Sequence, residues 1–386
     1  MRSGVGEVPR ETWNALVGDG SPFLEWEWLA SLEEAGCVGE EEGWAPRPLL
    51  LHEGGRPVAA CPLYLKGHSE GEFVFDWGWA DAAERAGIAY YPKLLVGVPF
   101  TPVTGARLLV AAGEDRPLRQ AQLARALLEL CEAHDLSGVH VNFCREDERP
   151  VLEAAGYLPR LGFQYHWQSR GFTSFDDYLA SLRSKRRNQV RRERRELEAQ
   201  GVELRSHAGE DITEPLLASL YELYLTTIRH NPWGRQYLNR DFFTLLQERF
   251  RRRLCIITAH RGDELVAGTL NVQKGDTLYG RYWGCFQELR HLHFNVCYYA
   301  GIAYCIEHGL SRFEPGAGGP YKQLRGFDAT PTWSFHHLRD PRLAQAVARF
   351  LEHERAEAGS TIAWYAEHSA RRREGPPQPP ERDRAR

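Results

Sequence analysis

The sequence lacks most of the features that would assign a chemistry at once. Its 386 residues contain no G-x-S-x-G elbow, no Walker or Rossmann glycine fingerprint and no papain-like cysteine context, which leaves the common nucleophilic and nucleotide-cradling motifs out. The eight cysteines form no C-x-x-C pair and no zinc-like spacing. Most lie in apolar runs, which predicts buried reduced thiols and a cytoplasmic protein. No apolar run reaches about 18 residues and no basic-then-apolar leader opens the chain, so neither a membrane span nor export by such a signal is expected. A net charge of −4 gives no global attraction to a polyanion, so any nucleic-acid contact must be local. His291 and His293 have only His336 and His337, far downstream, as further candidate ligands, and no metal site is expected.

What is present is length enough for two cores and an alternation of strand and helix patterns that reads as α/β (α+β). A weak internal duplication organises it. GRPVAACPLYLKG at 55–67 and GDELVAGTLNVQKG at 262–275 both read as two arms of a strand pair. An aromatic strand is expected after each, FVFDWGW at 73–79 and LYGRYWG at 278–284. A helix-to-strand passage follows at 129–143 and 303–316, with a longer loop at about 80–120 in the first copy. Residues 175–200 between the copies read as one long connecting helix, with Ser174 or Thr173 as cap and Gly201 as stop. Leu179, Leu182, Val190 and Leu197 form its apolar stripe, in which Arg186 and Glu193 are out of place. Arg183, Arg187, Arg191 and Arg194 form a basic stripe, either a solvated face or a track for a polyanion such as RNA. Further helices are expected at 118–135, 211–229 and 341–357, and a tail without apolar residues from 371 onward should be disordered.

Candidate chemistry concentrates at 278–327. Strand alternation would put Tyr279, Arg281 and Trp283 on one face. An arginine between aromatics is either a stacked structural cation or a clamp for an anionic group. The helix from about 292 to 308 is apolar nearly all round, and its Ala300, Gly301 and Ala303 admit a close neighbour, either the sheet or a ligand. Glu314 ends a short strand beside an open turn, placed to remove a proton or to pair with Arg281 or Arg312. The turn GAGG at 316–319, followed by Lys322 and Arg325, suits an anionic ligand. With no nucleophile motif, the chemistry left is the positioning of two substrates and removal of a proton.

The segments YLASLRSKRRNQVRRER, LYGRYWG, LHFNVCYYAGIAYCIEHGLSRFEPGA and YKQLRGF resemble the bacterial FemAB-like group of predicted N-acyltransferases, of peptidoglycan biosynthesis/recognition type, over about residues 20–355. The resemblance implies two tandem GNAT-like domains, at 1–174 and 201–365, joined by the basic helix 175–200 and followed by a disordered tail at 366–386. It implies amide formation on an amino group, such as that of a cell-wall precursor, with an activated acyl donor as co-substrate rather than a permanently bound cofactor. Glu314 and His293 are then the candidate catalytic residues, Arg281, Tyr279, Trp283, Lys322 and Arg325 the substrate-binding ones. The acetyl-CoA-binding glycine loop of GNAT enzymes is missing from CFQELRHLHFNV, and Asn295 stands where related sequences carry a glutamate. Aminoacyl-tRNA is therefore preferred to acyl-CoA as donor, with tRNA a partner of the basic stripe. A CoA-dependent N-acetyltransferase and a non-catalytic precursor-binding module of the same fold are the competing readings.

Overall fold

The computed structural model describes residues 2–230 and 234–372. In chain order the strands are β1 (Trp44–Pro46), β2 (Leu49–Glu53), β3 (Arg56–Cys61), β4 (Leu63–Lys66), β5 (Lys93–Val96), β6 (Leu109–Val110) and β7 (Gly138–Cys144). They continue with β8 (Leu158–Gln168), β9 (Val202–Ala208), β10 (Leu254–Arg261), β11 (Glu264–Lys274), β12 (Thr277–Cys285), β13 (Arg312–Glu314) and β14 (Asp328–Leu338). Eleven of these form one sheet in the order β1-β4-β5-β7-β14-β8-β13-β12-β11-β10-β9, while β2, β3 and β6 form a small separate sheet.

Two similar GNAT-like halves are built into that sheet. In each, antiparallel strands lead to one parallel pair, β5 with β7 and β12 with β13. The halves are not separate bodies, because they exchange strands. After β7 the chain crosses as β8 to pair with β13, and after β13 it crosses as β14 to pair with β7. The two crossing strands pair with each other antiparallel from Asp328↔His166 to His336↔Leu158. Helices and buried aromatics cover both faces. One large cluster, including Phe23, Trp28, Phe242 and Tyr279, draws on both ends of the chain. A second, including Leu278, Val296, Phe313 and Phe327, backs the second half.

The duplication is correct in plan and displaced in detail. By sheet position the counterpart of β12 is β5, inside the stretch expected to be loop, and not FVFDWGW. That segment turns into a helix at Trp77–Arg85 instead. The cause is charge burial: Glu72 and Asp76 reach over the sheet to the fully buried Lys93, at 3.1 and 2.5 Å from its Nζ, so this stretch cannot pair as a strand. Likewise β3 and β4, taken as one strand pair, divide between the two sheets.

The expected connecting helix is two helices, Phe175–Ser181 and Ser184–Glu198. The first starts as expected, with a Ser174–Asp177 capping box. The break falls at Leu182, which is extended and forms a bridge with Arg371. The final helix runs further than expected, Pro341–Glu367. Residues 366–372 are ordered rather than part of a disordered tail. Arg371 is buried and donates to the carbonyls of Gly326 and Gln168 at 2.9 and 3.0 Å. The remaining tail, 373–386, lies outside the described residues.

Candidate functional site

The site is made by the parting of β12 and β13. They pair in parallel over Thr277↔Arg312, Leu278↔Phe313 and Tyr279↔Glu314, and then separate. Gly280 stands at the fork, where a Cβ would come within 3.2 Å of Pro315. At the other end of β12, Gly284 lets the helix Glu214–His230 approach so closely that a Cβ would lie 1.8 Å from Leu223 O. Both glycines of LYGRYWG are thus spacers.

A bulge then re-aims the strand. Leu270 pairs with Tyr282 and Asn271 with Gly280, so Arg281 is an extra residue without a partner across the strand. The simple alternation fails at this point. Tyr279 packs edge-on against Phe23 on one face at 5.4 Å, and Trp283 packs against His293 on the other at 4.9 Å. Arg281 is half-buried between Phe23 and Tyr282, 5.4 and 5.3 Å from their ring centres. Its Nη2 donates to Phe100 O at 2.5 Å, and its Nε has no partner.

The fork opens into a cavity of about 350 Å³ that Arg281, Trp283, His293 and Lys322 border together. Phe73, Phe100 and Pro102 close it from the first half. Arg235, on its far wall, pairs with Glu70. Among the described residues no carboxylate borders the cavity, and Arg281, Arg235 and Lys322 make its lining cationic.

The helix behind it, Leu292–Glu307, contains a wide π turn at Asn295–Tyr299, from which Cys297 and Tyr298 face the cavity. Such turns recur at functional sites. Asn295 itself is spent on structure, donating to Glu193 O and His291 O at 3.2 and 2.9 Å. The small residues in this helix serve sheet packing: a Cβ on Gly301 would meet the Phe313 ring at 2.5 Å.

The remaining expected site residues fall into three groups. Burial, reinforced by Lys322 and Arg325, lowers His293 to about 4, so its ring is neutral near pH 7 and only weakly basic. Lys322 is lowered to about 8, first by burial. Its Nζ donates to Gly316 O and Ala317 O at 2.6 and 3.2 Å, so it fastens the glycine turn from inside.

Glu314 and Tyr279 lie behind the cavity wall. Both carboxylate oxygens of Glu314 are buried without a hydrogen bond; Arg312 Nη2 is 3.0 Å from Oε1 but badly directed, and His166 Nε2 is 3.7 Å from Oε2. Burial raises this carboxyl to about 7 against the pull of Arg312 and Arg281. Glu314 and Arg281 are thus electrostatic neighbours, but only Arg281 reaches the cavity.

Arg325 belongs to structure, which corrects its expected role in substrate binding. It is fully buried, donates to both oxygens of Glu193 at 2.9 and 2.8 Å and to Tyr299 Oη at 2.8 Å, and lies 3.5 Å over the Phe294 ring. This pair also explains the glutamate in the apolar stripe.

The basic stripe is partly engaged. Arg194 stacks on Phe175 at 4.3 Å, Arg183 Nε donates to Arg371 O at 3.3 Å, and Arg191 lies 3.8 Å from Asp176. Arg187, half-buried, has no ion-pair partner among the described residues. His166, Phe73, Phe100 and Arg235 were not anticipated as neighbours of the site, because each arrives from a distant segment, whereas Arg312 lies beside Glu314 as expected. Among the described residues no group of three His, Cys, Asp or Glu is placed to hold a metal, and no helix is long and apolar enough to cross a membrane.

The pattern of the FemAB-like family, described as peptidoglycan biosynthesis/recognition, matches residues 4–373. The chain belongs to that family. This FemAB-like chain is similar in fold to FemX, with a TM-score of 0.56 and 13% identity, over 89% of this chain and 99% of FemX. It is also similar to the C-terminal domain of a putative lysylphosphatidylglycerol synthetase from Agrobacterium fabrum, with a TM-score of 0.55 and 9% identity over 88% of this chain and 95% of that one. L-PGS from Bacillus licheniformis has a TM-score of 0.51 and 10% identity over 83% and 95% of the two chains. At these identities the likeness is one of fold. No curated protein matches the sequence.

Proposed function

We propose that this FemAB-like chain is a transferase that joins an acyl or aminoacyl group to an amine of a peptidoglycan precursor, and that transfer takes place where β12 and β13 part. The observation that carries this reading is the open cavity at the fork, bordered by Arg281, Arg235 and Lys322 and, among the described residues, by no carboxylate. A lining of that charge suits the phosphate or carboxylate of an activated donor or of a precursor. Arg281 is the clamp, because it borders the cavity at the fork with its Nη2 held by the Phe100 carbonyl. The amine must be neutral to attack, and His293 is the cavity-facing neutral ring that can accept the proton the nitrogen sheds after the bond to the acyl carbon has formed. Glu314 acts at one remove, balancing the charge of Arg281 from behind the wall.

Aminoacyl-tRNA is the proposed donor. The stretch before the helix at Leu292 offers no glycine-built pyrophosphate cradle, and the exposed arginines along Ser184–Glu198 supply local positive charge. The test is a transfer assay with purified protein, a peptidoglycan precursor and either aminoacyl-tRNA or acetyl-CoA, following amide product. Product from aminoacyl-tRNA that is lost in Arg281→Ala at unchanged Tm is expected. Transfer from acetyl-CoA alone would reverse the choice of donor, and no transfer from either would leave a binding module.

A further inference from the structure

A second cavity, of about 500 Å³, lies across the glycine turn from the first. The two have Phe73 and Ala317 in common, so a side chain and one residue of the turn stand between them. Their chemistry is opposite. The second cavity contains Arg160, Glu354 and Glu357. The arginine is spent: Arg160 binds Glu354 bidentately at 2.8 and 2.7 Å, donates to Phe75 O at 2.8 Å and lies 4.9 Å over the Trp79 ring. That leaves the exposed Glu357, which has no ion-pair partner among the described residues, as the net charge of the wall.

Beside it stands an aromatic surface that folding has not buried. Phe75 is 62% exposed and Trp77 53%, with ring centres 5.5 Å apart. On the inner wall Trp333 carries a buried indole N–H with no acceptor. An uncompensated carboxylate next to exposed aromatic rings attracts an organic cation, and an unmet N–H attracts a neutral acceptor such as an amide carbonyl.

We infer that this second cavity binds the amine-bearing arm of the acceptor, a protonated primary amine on an aliphatic chain attached to a peptide amide, and that the anionic partner occupies the first cavity. The inference rests on the transferase reading and assigns its two substrates to two sides of one turn. The ammonium is held at the Glu357 and Phe75 rim. The turn Gly316–Gly319, fastened by Lys322 through Gly316 O and Ala317 O, is the partition it must pass. Gly316, Gly318 and Gly319 all have positive φ, a conformation that side chains other than glycine adopt only with strain.

The test is equilibrium binding to the intact chain without any donor, so it does not depend on turnover. The amine probe is Nα-acetyl-L-lysine amide, its neutral control is the same compound acetylated on Nε, and the anion probe is inorganic pyrophosphate. Phe75→Ala and Glu357→Gln are each expected to weaken the amine probe by roughly two- to fivefold, with pyrophosphate binding unchanged as proof of folding. Arg281→Ala is expected to do the reverse. Equal binding of the neutral control, indifference of the amine probe to both substitutions, or displacement of the amine by pyrophosphate would each overturn the assignment. If the binding pattern holds while no transfer is seen with any donor, the cavity assignment stands and the transferase reading fails.

Discussion

In the first half, β5 and β7 pair in parallel as far as Val96↔Val141, and the chain fills the space beyond them itself. Gly105 N donates to Phe143 O at 3.0 Å, laying the following segment along β7. The buried Arg107 then donates to Asn142 O and Val103 O, both at 2.7 Å, while Glu148 accepts the backbone N–H groups of Arg107 and Leu108 at 2.7 and 2.6 Å. In the second half, β12 and β13 part in the same way, but the arginine beyond the fork borders open space. One plan thus yields a plug and a site. The difference is not the presence of an arginine. It is whether the chain fills the space beyond the fork or leaves it as a cavity.

Substitutions at the two arginines should separate these roles. Arg107→Ala removes a buried cation, leaves two carbonyls short of partners and takes a countercharge from the buried Glu148, so a loss of roughly 3–5 kcal/mol is expected in denaturant unfolding. Transfer per folded molecule should be unchanged, and a lost activity at full stability would make the first fork a site as well. Arg281→Ala should act oppositely, lowering kcat/KM by roughly 100- to 1000-fold with Tm nearly constant. A fall in Tm comparable to that of Arg107→Ala would reduce Arg281 to a second plug.

Glu314 gives the next largest effect, through pH. Its folded-state value near 7 lies above its ordinary 4.5, so between these values the folded chain holds a proton that the unfolded chain has released. Its contribution to stability is therefore present below about 4.5 and lost as pH rises through 7, by on the order of 3 kcal/mol at most. Glu314→Gln should flatten the stability profile in that window relative to the unaltered chain. An unchanged profile would mean that the carboxyl ionises freely there. The smallest effect is expected at the basic helix. Arg187→Ala should reduce the salt dependence of tRNA binding by roughly one phosphate contact, and no change would mark that face as solvated only.

The sequence announced this site in part. Local signals placed β13 and its terminal Glu314, the buried helix behind it and the Lys322 turn, because periodicity and glycine pattern act over a few residues. Glu193 in an apolar stripe hinted at its buried pair with Arg325, though the partner lay more than a hundred residues away. What local pattern cannot carry is register across strands. The bulge at Arg281 exists only against β11, and it moved Trp283 to the face opposite Tyr279. FVFDWGW has the composition of a strand, yet the pairing of Glu72 and Asp76 with Lys93 decides its shape.

The strand exchange also sets an order on synthesis. The first half cannot complete its sheet when its own residues leave the ribosome, because the neighbour of β7 is β14, at Asp328–Leu338. Until then β7 presents an apolar edge with His140 and His336 still apart, although in the finished protein they meet at 2.7 Å. A nascent chain stopped before residue 328 therefore exposes β7 together with one edge of β8, and only the last part of translation closes both. Early arrest should leave fragments that chaperones retain.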